Sequence, residues 1–224
     1  MLPDSGAVLD AGTAMFRVCR HLATPALDIF LTHSHLDHII GLTYLLDILQ
    51  RKLVERVSVH GEGPKLRAIR RHLFARDLFP VVPQVQWQPL RAPVTLGDGG
   101  VVSYFPLAHP GGALGYRIDW KGRSLAYVTD TTAAADAEYV TKIRGVDLLL
   151  HECFFADGHE ALAAATGHSC TTPVAQVARA AQVGRLVLVH INPLHEEEDP
   201  VGLPAARRIF RDTQIGQDGA EIEF

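Results

Sequence analysis

Residues 33–38 read His33-Ser-His35-Leu-Asp37-His38, which puts four metal-competent side chains into six positions. Neutral imidazoles and carboxylates are the ligands that zinc and related divalent ions select. His33 and His35, two apart, share a face if the backbone is still extended there. Asp37 and His38 fall where a helix begins and approach from another direction. That offset can supply two neighbouring ligand sets, as a two-metal hydrolytic centre requires. A polar loop whose Asp37 caps the following helix would account for one of these residues, not four. Three more candidates end strand-like runs: His109 after Val101-Val-Ser-Tyr-Phe-Pro-Leu-Ala, Asp130 after Ser124-Leu-Ala-Tyr-Val-Thr, and His190 after Arg185-Leu-Val-Leu-Val. Singly, Asp130 reads equally well as a helix N-cap and His190 as a satisfied strand-end histidine. After the six-residue cluster, the ligand reading is the better one.

The elements that must position these residues alternate at both ends of the chain. Gly6–Gly12 reads as a strand and turn, Thr13–Leu22 as a helix, Leu27–Thr32 as a strand, and Ile39–Leu49 as a helix. Val54–His60 and Lys65–Phe79 repeat the pattern, with Pro80 as the stop. The middle holds short strands (Val85–Leu90, Val101–Leu107, Gly115–Trp120, Ser124–Thr129) separated by glycine turns. Alternation then returns: a helix at Ala133–Ile143, a strand at Val146–His151, a helix after Thr172-Pro173, a strand at Arg185–His190, a helix at Pro204–Phe210 and a last strand at Ala220–Phe224. The best architecture is a pair of sheets covered by helices in one domain. The 224 residues, 47% hydrophobic, are enough for a full core. No run of apolar residues suits a membrane span, and the N-terminus lacks the pattern of a secretion signal, so a cytoplasmic protein without a membrane partner is expected. The three cysteines are read as reduced thiols. A net charge of -4 disfavours long polyanions as partners but says nothing about a local basic patch.

His33-Ser-His-Leu-Asp-His38 followed in order by His109, Asp130 and His190 resembles the metallo-β-lactamase superfamily over nearly the whole chain. The resemblance implies an α/β fold, a four-layer αββα sandwich of two mixed sheets flanked by helices, as a single hydrolase domain over residues 1–224. Such proteins carry a further strand or two ahead of the Asp10 position, so a first N-terminal strand is expected to be lacking. The resemblance also implies two Zn2+ ions, with Mn2+ or Fe2+ as alternatives. Position by position, His33, His35 and His109 would hold one ion, Asp37, His38 and His190 the other, and Asp130 both. Asp10, in Leu9-Asp10-Ala-Gly12, would support the ligands without binding metal.

Two further motifs, His151-Glu152-Cys153 and Gly167-His168-Ser169, resemble those of the ribonuclease Z-like phosphodiesterase branch. There the Glu152 equivalent supports the His168 equivalent, whose imidazole stabilises or protonates the leaving oxygen. Glu152 and His168 therefore stand with Asp37 as the catalytic residues, and His151 is read as supporting the site from behind. A buried structural acid and a Ser169 that caps the next helix are the plainer readings of the same residues. Cys153 and Cys170 stand where the branch usually has small or hydroxyl residues. The long exosite arm of ribonuclease Z has no room between His109 and Asp130, which a hairpin fills. The expected activity is hydrolysis of a small or cyclic phosphodiester, or of an RNA 3′ end, by a hydroxide bridging the two metals. A lactone or thioester hydrolase of the same fold, and a non-catalytic metal-stabilised binding protein, are the alternatives. A homodimer is left open.

Overall fold

The computed structural model describes residues 1–50, 54–195 and 197–224. The chain divides into two compact units, Met1–Val101 and Val102–Phe224. Among the described residues no helix is long and apolar enough to cross a membrane.

In the first unit β1 (Ala7–Leu9), β2 (Ala26–Phe30), β3 (Arg56–Gly61) and β4 (Gln86–Pro89) lie side by side in chain order. All three pairings are parallel, which corrects the expectation of two mixed sheets. Parallel neighbours need crossover connections, and the chain supplies them. A 3-10 helix (Thr13–Arg20) follows β1. After β2 come α1 (Leu36–Ile39), a second 3-10 turn (Ile40–Tyr44) and α2 (Leu45–Gln50), and α3 (Gly63–His72) follows β3. The helix expected over 39–49 is broken because Gly41 packs against the Gly12 turn, where a Cβ would lie 2.2 Å from the Gly12 carbonyl oxygen. Strand alternation sends Leu27, Ile29, Val57 and Val59 into one core with Leu42, Leu45, Ile48, Leu66 and Ile69. The intervening Asp28, Phe30, Ser58 and His60 share the other face. There Asp28 accepts from Arg56 Nη2 and pairs with His60 Nε2, both at 2.9 Å, and Phe30 stacks on His60 at 4.6 Å. Burial works to raise the Asp28 carboxyl, but hydrogen bonds from His60 and Arg56 outweigh it and hold it at about 2. A short β5 (Val94–Thr95) closes this unit.

The second unit carries β6 (Val101–Leu107), β7 (Ala113–Trp120), β8 (Arg123–Val128), β9 (Leu148–Glu152), β10 (Arg185–Val189) and β11 (Thr213–Ile215), in the spatial order β11-β10-β9-β8-β7-β6. This sheet is mixed: β7 and β8 form an antiparallel hairpin, while β8, β9, β10 and β11 run parallel. The hairpin fills the segment between His109 and Asp130. Helices α4 (Tyr139–Lys142), α5 (Glu160–Thr166), α6 (Thr171–Ala181) and α7 (Leu203–Ile209) accompany it. Its core joins Val128, Leu149, Leu186 and Leu188 to Val174, Val177 and Ala178 of α6. The strand expected over 220–224 is instead at 213–215, beside β10. Phe224 packs edge-on to Trp120 with the Arg123 guanidinium over both rings.

Candidate functional site

In the first unit the parallel strands release their chain at one edge, Asp10 after β1 and residues 31–38 after β2. Asp10 is a hub. Its Oδ1 accepts from the Thr32 backbone N–H at 2.7 Å, its Oδ2 from the Thr32 hydroxyl at 2.9 Å, and Oδ2 also meets His38 Nδ1 at 2.8 Å. A carboxylate only accepts, so His38 carries a proton on Nδ1. The Thr32 hydroxyl gives its hydrogen to Asp10, so His33 Nδ1, 3.0 Å from Thr32 Oγ1, must donate as well. Both rings are held in the orientation that turns Nε2 away from the hub. His33 and His38 are buried, with ring centroids 4.3 Å apart, and the His35 ring stands edge-on to His33 at 4.3 Å. Asp37 is exposed, and its Oδ2 lies 3.2 Å from His38 Nε2. That approach is favourable when a cation sits at Nε2, whether a proton or a metal ion. Backbone bonds from Ala11 N to His38 O and from Gly41 N to Ala11 O, 2.8 and 2.7 Å, staple the Asp10 turn to the histidine segment.

In the second unit β8, β9 and β10 run parallel, so Asp130, Glu152 and His190 emerge at one edge. Asp130 lies between two histidines, its Oδ1 3.9 Å from His109 Nε2 and its Oδ2 3.7 Å from His190 Nε2. His109 Nδ1 donates to the Gly167 carbonyl at 3.0 Å, which leaves Nε2 as the basic nitrogen turned toward Asp130. Ligand-capable atoms of Asp130, His168 and His190 all lie within 4.8 Å of one another. Glu152 is fully buried. Its Oε1 accepts from Thr131 N at 2.7 Å and faces His168 Nδ1 at 3.3 Å, and its Oε2 accepts from Ser169 N at 3.1 Å. One carboxylate thus ties the segment after β8 to the segment before α6. Phe154 stacks on the His168 ring at 4.5 Å. His151 points elsewhere: its Nδ1 donates to the Glu152 carbonyl oxygen, its Nε2 accepts from the Tyr139 hydroxyl at 2.9 Å, and burial lowers its pKa. It supports the Glu152 backbone and is packed like a core residue.

Ser169 does not cap α6, whose N-cap position is Cys170 without a side-chain cap. Its hydroxyl donates to the Thr131 carbonyl at 2.6 Å and accepts from Ala133 N at 2.9 Å, a second tie across the same two segments. Sequence reasoning also missed Phe154 and the contacts of Thr32 and Gly167. A hydroxyl closing an apolar strand directly before a histidine was the available signal for Thr32. Asp10, Asp130 and His190 share one further property, φ of 58°, 54° and 53°. Side chains in the left-handed region cost about 1–3 kcal/mol each, and such residues cluster at working sites.

A family described as a beta-lactamase superfamily domain matches residues 7–191. Ribonuclease Z of Cytophaga hutchinsonii is 38% identical over 102 residues, covering 46% of this chain and 32% of that protein. Ribonuclease Z of Prochlorococcus marinus (strain MIT 9313) is 35% identical over 134 residues, covering 58% and 39%. The chain thus spans about a third to two fifths of the length of these curated relatives. The metallo-beta-lactamase fold protein YhfI from Bacillus subtilis superposes with a TM-score of 0.77 at 19% identity, over 96% of this chain and 85% of that one, a likeness of fold. With both its family match and its architecture in agreement, the chain belongs to the metallo-β-lactamase superfamily.

Proposed function

We propose that this chain is a zinc-dependent phosphodiesterase acting on a small or cyclic phosphodiester or an RNA 3′ end. The observation that carries the reading is His168, held against the buried carboxylate of Glu152 and within 4.8 Å of ligand-capable atoms of Asp130 and His190. The donor set fits divalent zinc, manganese or iron. His33 and His109 direct Nδ1 to oxygen acceptors and keep Nε2 for a ligand, and the neighbouring donors are imidazole or carboxylate. His33, His35 and His109 would hold one ion, Asp37, His38 and His190 the other, with Asp130 shared. Bound there, such ions would make hydroxide available near neutral pH and neutralise charge on the phosphoryl oxygens. The chain's own contribution is positional. Asp10 and Thr32 fix His33 and His38, Gly167 fixes His109, and Glu152 accepts a hydrogen bond from Nδ1–H of the protonated His168, which gives its Nε2 proton to the leaving alkoxide and remains as the neutral ring with Nδ1–H on Glu152.

His168→Ala tests this. Metal content should stay that of the parent while turnover of bis(p-nitrophenyl) phosphate falls by roughly a hundredfold or more. Loss of one metal equivalent in the variant would make His168 a ligand. Turnover confined to a lactone or aryl ester would replace the phosphodiesterase reading with that of a carbon-ester hydrolase.

A further inference from the structure

Residues 63–80 carry five Lys and Arg against one Asp, a net +4, in a chain whose net charge is -4, so the remainder sums to -8. The excess sits on α3 and just beyond it. Leu66 and Ile69 turn that helix's apolar side into the core, which leaves Arg67, Arg70 and Arg71 at i, i+3 and i+4 on its exposed side, with Arg76 exposed four residues past its end. Three arginines elsewhere do have acidic partners, Arg56 with Asp28, Arg117 with Asp119 and Arg185 with Asp212. Among the described residues none of the α3 arginines has an acidic partner. Like charges at this spacing destabilise a helix unless an anion joins them. The chain returning from α3 sets Val82 beside Arg67, Arg70 and Arg71, and the four line an open cleft of about 290 Å³. On its flank the Arg70 guanidinium lies 5.9 Å from the ring centroid of the half-buried Trp87.

We propose that this cleft is a docking site for the phosphate backbone of single-stranded RNA. Guanidinium forks match phosphate oxygens bidentately, and an aromatic ring beside a cationic groove is what single strands use for base stacking. The inference rests on the phosphodiesterase reading and gives it a substrate class: a strand long enough to reach a cationic helix as well as the hydrolytic residues.

The test is fluorescence anisotropy of a labelled single-stranded RNA over a salt series, with the full chain and with Arg67→Glu/Arg70→Glu/Arg71→Glu. Three lost phosphate contacts should lower the slope of log affinity against log salt by about 2, at roughly 0.7 per contact, and affinity at low salt should fall more than tenfold. Hydrolysis of bis(p-nitrophenyl) phosphate should not change. Equal RNA affinity and slope in the two proteins would overturn the proposal. So would a variant that loses binding to phosphatidylserine vesicles while keeping RNA. Should the triple variant fail to fold, Arg67→Gln/Arg71→Gln, which leaves the Arg70–Trp87 contact intact, should lower the slope by about 1, and an unchanged slope there overturns the proposal too. If RNA binding is arginine-dependent but the parent hydrolyses no diester, the docking site stands and the phosphodiesterase reading falls.

Discussion

Gly167→Ala is the sharpest perturbation the structure offers, because two separable costs meet at one residue. Gly167 has φ +77°, and a Cβ there would lie 2.4 Å from Pro110 Cδ and 2.8 Å from His109 Nδ1. The conformational cost of a side chain in the left-handed region is about 1–2 kcal/mol. The second cost is steric: the His109 ring, which donates to the carbonyl of this same residue, must move. Gly202→Ala is the control, since Gly202 has φ +75° and open space around its Cβ. In urea unfolding of the metal-free proteins, Gly202→Ala should lose the conformational term alone. Gly167→Ala should lose that and about 1–3 kcal/mol more, the usual range for overpacking. Zinc affinity by competition with a chromophoric chelator should fall by roughly 10–100-fold in Gly167→Ala, as when a partner orienting a ligand histidine is lost, and should not change in Gly202→Ala. Matching stabilities with parental zinc affinity in both variants would refute the claim that Gly167 positions His109.

Asp10→Asn should reverse the proton on His38. The amide would offer N–H where the carboxylate accepted, so in 15N-detected imidazole spectra the proton should move from Nδ1 to Nε2, and zinc affinity should drop by roughly 10–100-fold. An unaltered tautomer would remove Asp10 from its role as hub. Asp28 makes a pH prediction. Its folded carboxyl is depressed from 3.8 to about 2, so the unfolded chain binds more protons between those values. Its stabilisation is complete above about pH 4 and is lost as pH falls toward 2. The shift corresponds to about 2 kcal/mol, and about half of that after solvent screening, because Arg56 is 43% exposed. The stability gap between the parent and Asp28→Asn should therefore close as pH falls from about 4 toward 2, as followed by urea unfolding. A gap that widens on acidification would contradict the assigned sign.

Most strands were legible because their signal is local. Leu27–Thr32 and Arg185–His190 are mostly apolar runs ended by polar residues; β2 overlaps the first and β10 lies within the second. Helices were less legible where tertiary contact interrupts them. The periodicity of 39–49 is intact in the sequence, but the close approach of Gly41 to Gly12 breaks the helix there. The expected helix over 65–79 ends at His72, and beyond it Phe74 packs edge-on against both Phe79 and Trp87. Helix α5 was missed although Gly167 in the left-handed region closes it, because an alanine-rich stretch has almost no apolar periodicity to read.

The identity of the candidate ligands could be read from residue types and order, but their preparation could not. Which nitrogen of His33, His38 and His109 carries the proton depends on oxygen atoms 1, 28 and 58 residues away in sequence, and no spacing rule reaches the last two. The three partners differ in kind, a threonine hydroxyl, a carboxylate and a glycine carbonyl, so no single motif would have found them. They act alike, each accepting from Nδ1. The same logic separates His151 from His168. Both neighbour Glu152, but His151 uses its two nitrogens on a backbone carbonyl and a tyrosine hydroxyl, whereas His168 meets the carboxylate with Nδ1 and lies among Asp130 and His190. Proximity to the same acid therefore gives one histidine a packing role and leaves the other able to take part in chemistry.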